Sequence, residues 1–183
     1  FLGAIADKAS VKKRLLIFFA FIGIISTGAL SMVGQGYWKI AAVFYVVASV
    51  GFMSANIFYD SLLPSVASKQ KRDFVSSLGY SLGYIGGGIP FLVNVAMYLK
   101  PQFFGIADAP SAIKLSFLTV AVWWAIFTLP ILIFVKEKAP ANDIGIIKSI
   151  SAGWIQLLST LKRIRELKVV TTFLIAYWLY IDG

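Results

Sequence analysis

Uncharged apolar runs alternate along this chain with short polar connections, most of them basic. Leu15–Val33, Ile40–Tyr59, Phe74–Leu99 and Leu115–Val135 contain no charged residue. Each is near the roughly 20 residues a helix needs to cross a bilayer. A fifth run, Val169–Ile181, is cut short near the last residue, and Phe1–Ala6 reads as the tail of an earlier span. Strands of a membrane barrel would be shorter and would alternate in polarity, so the runs predict helices. The expected fold class is an all-α integral membrane protein.

Charge then orients the spans. Lys8, Lys12, Lys13, Arg14, Lys69, Lys71, Arg72, Lys136, Lys138, Lys148, Lys162, Arg163, Arg165 and Lys168 all fall on one set of alternate connections. Only Lys39, Lys100 and Lys114 fall on the other set. Basic residues accumulate on the cytoplasmic side of membrane proteins, which places the richer set there. The outer connections are a tight turn, Gly34–Lys39, and a longer one, Lys100–Lys114, that carries Pro101 and Pro110. The cytoplasmic stretch 136–168 is the longest. Within it Ile147, Ile150, Trp154, Leu157, Leu158 and Leu161 recur at helical spacing beside basic clusters. That pattern suits a basic linker whose amphipathic helix either lies on the inner membrane surface or packs on the rest of the protein.

Composition agrees with lipid as the solvent. The chain has 183 residues, is 59% hydrophobic, and its mean hydropathy is +0.84. Soluble domains hold about 45–50% apolar residues. The net charge of +9 does not point to nucleic acid, because the cations sit in the connections between apolar runs and not on one polar domain. Cys and His are absent, which removes disulfides, thiol catalysis and His-based metal or acid–base chemistry. No nucleophile has a base beside it, so an enzyme is not expected, and no cofactor or metal is called for. The chain starts Phe1-Leu2 and stops at Asp182-Gly183 inside an apolar run. It is read here as an internal piece of a longer protein.

Several residues could carry function. Gly79 and Gly83, four apart, share a helix face that another backbone could approach, and Gly86, Gly87, Gly88 and Pro90 follow. Either this segment is a pliable gating helix or its small residues serve static packing. Asp60 closes the second run, where it either reaches water or pairs with the first loop. Asp182 sits inside an apolar run, so its carboxylate is expected to face a cavity or a partner helix, as a proton or substrate contact. Asn56, Tyr59, Asn94, Tyr177 and Tyr180 are the other polar groups expected to point into a bundle, unless each makes only an interhelical hydrogen bond.

The opening stretch, Gly3-Ala4-Ile5-Ala6-Asp7-Lys8-Ala9-Ser10-Val11-Lys12-Lys13-Arg14, resembles the signature loop between the second and third helices of major facilitator superfamily transporters. Ser10 stands where a second glycine is usual. The glycine segment is similar to the antiporter signature of helix five, with Tyr84 in place of a proline. Phe58–Pro64, Ser77–Gly88 and Ala176–Gly183 together resemble the vacuolar-effluxer-like branch, whose fungal members are autophagy-related exporters of amino acids.

The resemblance implies a major facilitator fold from the end of helix two to the start of helix seven. Residues 1–135 would belong to the N-terminal six-helix bundle, with helices three to six complete. Residues 136–168 would be the cytoplasmic linker, and 169–183 would begin the C-terminal bundle. The implied function is secondary active transport of small solutes, amino acid efflux among them, by alternating access. Protons are a candidate coupling ion and the bilayer is the obligatory partner. A membrane scaffold or receptor that keeps the fold without moving cargo is the alternative.

On this reading Gly3, Asp7, Lys8, Lys12, Lys13 and Arg14 form a cytoplasmic gate, and the glycines from 79 to 88 let helices slide. Asn56, Tyr59, Asp60, Tyr180 and Asp182 would contact substrate or proton. The compact loops favour a bacterial inner membrane, with the vacuolar membrane as the setting in a fungus.

Overall fold

The computed structural model describes residues 12–136 together with 159, 169, 172, 173, 176, 177, 179 and 180. The first stretch lies in one compact unit, Val11–Lys138, and holds four helices. They are α1 (Lys12–Leu30), α2 (Trp38–Val66), α3 (Arg72–Leu99) and α4 (Ala109–Phe134). All four are long and apolar enough to cross a membrane, with α3 extended by the 3₁₀ turn Lys69–Lys71. Among the described residues there is no strand. The protein is a multi-pass, all-helical membrane protein.

The ends of the helices depart from the hydropathy runs for local reasons. The last turn of α1 is at Leu30, and the chain then turns through Gly36, whose φ of 86° suits glycine. The second helix was expected to end at Tyr59 and instead continues through Asp60 and Pro64 to Val66. Pro64 removes one donor, leaving the Asp60 carbonyl without its helical partner. Leu62, buried on the inner side of this last stretch, keeps it docked. At 29 residues, α2 is about 43 Å long, well beyond the ~30 Å hydrocarbon core. Asp60 thus lies inside a helix and not at its end.

The connection after α3 is shorter than expected. Gly105, with φ 69°, closes a 3₁₀ turn over Pro101–Phe104. Asp108 then caps α4, accepting the Ser111 N–H at 2.8 Å, while a proline sits in the first turn where no N–H is needed. Lys114, assigned to the loop from hydropathy, is therefore helical. Nor do Gly86–Gly88 and Pro90 interrupt α3, which runs unbroken from Arg72 to Leu99.

Packing centres on α1, which lies against α2 on one flank and α4 on the other. Buried Leu16, Ala20, Gly23, Ser26 and Leu30 recur every three or four residues along it. On α2 the matching stripe is Ala48, Gly51, Ser54, Ala55, Phe58 and Leu62. Small residues dominate both stripes, because in lipid the gain comes from close van der Waals approach and not from hiding apolar surface. Phe58, fully buried, stacks on Phe19 with centroids 5.8 Å apart. Phe52 meets Trp124 of α4 edge-on at 5.6 Å. The third helix is held chiefly through α4, where Thr119 lies 2.9 Å from Asn94 Oδ1. Consecutive helices α2 and α3 scarcely touch. A groove opens between them.

Candidate functional site

The groove has a volume of about 900 Å³, within the range of small-molecule sites. Helical periodicity builds both walls. From α2 come Phe52, Asn56, Tyr59, Asp60, Leu63 and Val66; from α3 come Val75, Ser76, Gly79, Tyr80, Gly83, Tyr84, Gly87, Gly88 and Phe91. Leu62 of α2, Ile131 of α4 and Val135 just past its end complete it. On α3 the four-residue spacing puts Gly79, Gly83 and Gly87 in one row and Ser76, Tyr80 and Tyr84 in the next. Across the groove, a Cβ on Gly79 would stand 3.6 Å from the Tyr59 hydroxyl.

Asn56, Tyr59, Asp60, Ser76, Tyr80 and Tyr84 keep their polar side-chain atoms unspent, with no hydrogen bond among the described residues. Several hydroxyls outside the groove bond their own helix. Thr27, Ser81, Ser116 and Thr128 each donate to the carbonyl four residues back, the usual way a polar side chain is accommodated in an apolar helix. The groove therefore collects hydrogen-bonding capacity that the fold does not use. Among the described residues it also contains one carboxylate, Asp60, and no lysine or arginine.

A second cluster lies at the end of the bundle where α1 begins. Lys12 Nζ donates to the Ser61 carbonyl of α2 at 3.3 Å. Lys13 Nζ donates to the carbonyls of Leu132 and Val135, both at 2.7 Å, at the end of α4. Helix C-termini present unpaired carbonyls and the negative end of the macrodipole, so an ammonium is well matched there. These contacts bring Lys12, Lys13, the Lys69–Arg72 turn and Lys136 to one end of the bundle, as the charge pattern requires. Arg14 is exposed.

The structure brings Asn56, Tyr59 and Asp60 together with Gly79, Gly83, Gly87 and Gly88 in one groove. Gly86 lies on the same helix outside the lining. A Cβ on Gly83, Gly86, Gly87 or Gly88 would meet nothing within 4 Å among the described residues. Asn94 is removed from the groove and bonds Thr119. Tyr177 and Tyr180 are helical and exposed, in the chain's other compact unit, where Tyr177 stacks on Phe173 at 6.3 Å. Gly3, Asp7, Lys8, the amphipathic stretch of the linker and Asp182 lie outside the described residues. Among the described residues no group of three or more metal-ligating side chains forms.

Reading the residues singly missed Ser76, Tyr80 and Tyr84 as a row. Their spacing of four was the available signal. It also missed Gly23 and Gly51, which lie in the small-residue stripes of α1 and α2.

Over residues 1–183 the chain matches the family model described as "Vacuole effluxer Atg22 like". It is 38% identical over 188 residues to the uncharacterized MFS-type transporter YxiO of Bacillus subtilis, covering 100% of this chain and 42% of that protein. It is 21% identical to Autophagy-related protein 22 of Yarrowia lipolytica, covering 97% of this chain and 42% of the relative. With its Saccharomyces cerevisiae counterpart the identity is 26%, over 94% of this chain and 39% of the relative. The chain thus spans about two fifths of the length of these relatives. No solved structure matches it.

Proposed function

We propose, from the premise that this chain belongs to the family of Atg22-like vacuole effluxers, that it forms part of a secondary transporter for small solutes. Amino acids are the first class to test, and alternating access between two sides of the membrane is the mechanism. The groove between α2 and α3 is one wall of the solute path. What supports this is the gathering in one groove of six polar side chains, from Asn56 to Tyr84, that make no hydrogen bond among the described residues. Polar groups without internal partners are costly in a membrane protein and mark water-filled or substrate-filled space.

The ammonium contacts of Lys12 and Lys13 fit a closing element at the cytoplasmic end. They tie the start of α1 to α2 and to α4, and rocking of one half against the other would have to make and break such ties.

The test is counterflow of labelled amino acids in liposomes containing the whole protein. Accumulation above protein-free liposomes, lost on substituting Tyr80→Ala or Asn56→Leu, is the expected result. Specific binding with no flux for any solute would overturn the transport reading in favour of a receptor or scaffold on the same fold.

A further inference from the structure

Among the described residues Asp60 is the only charged side chain lining the groove, and it has no ion pair or hydrogen bond there. Lys12 reaches α2 at the neighbouring Ser61 carbonyl and is not part of the lining. The remaining polar lining is Asn56, Ser76 and three tyrosines, Tyr59, Tyr80 and Tyr84, with Phe52 and Phe91 completing a ring-rich wall. We propose that this groove selects its substrate by positive charge, taking an organic ammonium ion that carries an apolar or aromatic body. The proposal rests on the groove being a solute path and adds the class of solute.

The physical argument is one of compensation. An ammonium that leaves water needs acceptors or negative potential in their place. The Asp60 carboxylate supplies charge, tyrosine hydroxyls supply lone pairs, and aromatic faces supply the negative lobe of the ring quadrupole. The apolar body is matched by the leucine, valine and phenylalanine side chains of the same walls. A substrate carboxylate has the opposite fate. It would find no lysine or arginine in this wall and would meet the charge of Asp60.

Three probes with the same phenyl ring separate these cases: phenethylamine, phenylalanine and 3-phenylpropionate. Binding to the whole purified protein is read by calorimetry at neutral pH, and flux is read separately in liposomes. Phenethylamine should bind about tenfold or more tighter than 3-phenylpropionate, the size expected of one charge-assisted contact. Asp60→Asn should abolish that preference, and Asp60→Glu should retain it. Equal or tighter binding of 3-phenylpropionate overturns the proposal, as does a preference that survives Asp60→Asn. Amine binding that depends on Asp60, with no flux of this or any other solute, would uphold charge selection while overturning transport. Flux of the anion independent of Asp60 would do the reverse.

Discussion

The backbone of Gly51 on α2 lies directly on the backbone of Gly23 on α1. A Cβ built on Gly51 would stand 2.8 Å from the Gly23 nitrogen, 2.9 Å from its Cα and 2.8 Å from the Phe19 carbonyl oxygen. On its other flank Gly23 is covered by the Trp124 indole of α4, which occupies the space its own Cβ would need. One residue therefore holds the crossing of three helices.

The atoms facing Gly51 are main chain and cannot rotate away. Gly51→Ala should force α1 and α2 apart, at a cost of about 1–3 kcal/mol for overpacking. Thermal unfolding of the purified whole protein in detergent measures it. Gly83→Ala is the comparison, since a Cβ there meets nothing within 4 Å among the described residues, and its midpoint should match the parent. Gly83→Leu, projecting into the groove, should lower flux with little change in that midpoint.

Lys13 holds two carbonyls at the end of α4. Its replacement by methionine keeps the stem and removes the donors. Hydrogen bonds to a charged group contribute about 1.5–3 kcal/mol, so the last turn of α4 should fray. Hydrogen exchange at residues 131–135 should accelerate in Lys13→Met, with the Gly23–Gly51 crossing unaffected. Unchanged protection would mean that the lysine contributes nothing to that helix end.

Thr119 and Asn94 join α4 to α3 at 2.9 Å. The Thr119 hydroxyl also lies 2.9 Å from the Ser116 carbonyl and has a single proton to share. The interhelical bond is therefore expected at the modest end, about 0.6 kcal/mol. A double-mutant cycle with Thr119→Val and Asn94→Leu should return a coupling of about that size. Zero coupling would show that α3 is held by packing alone.

Asp108 is exposed, yet its carboxyl is held below its ordinary value of 3.8 by the Ser111 side chain, then by the Ser111 N–H, with Lys114 adding its charge. A depressed acid stabilises the folded form above its unfolded pKa, and that contribution disappears as pH falls through the folded value. The start of α4 should thus be fully capped at neutral pH and loosen only below about pH 4. Asp108→Asn keeps the cap without the charge, so exchange at residues 109–112 should lose its acid dependence. Asp108→Ala should expose the same amides at all pH values.

Hydropathy and charge alone determined the helical class, the four spans and the end of the bundle that gathers the lysines. These properties are local: about 20 apolar residues in lipid have little choice but to bond their own backbone. Helix ends were less legible. Whether Asp60 and Pro64 end α2 depends on Leu62 finding a docked site, and whether α4 starts before Leu115 depends on one cap at Asp108. The tertiary structure decided which glycines carry the packing and which polar residues share a groove. Gly23 and Gly51 look no more special in sequence than Gly83, and only the α1 backbone against Gly51 and the Trp124 indole against Gly23 distinguish them. Likewise Asn56 and Tyr84 lie on different helices, and nothing in either helix specifies that α1 will draw α2 and α4 together while α3 stands off. That choice comes from the small-residue stripes fitting each other, a property of pairs of surfaces and not of any single run.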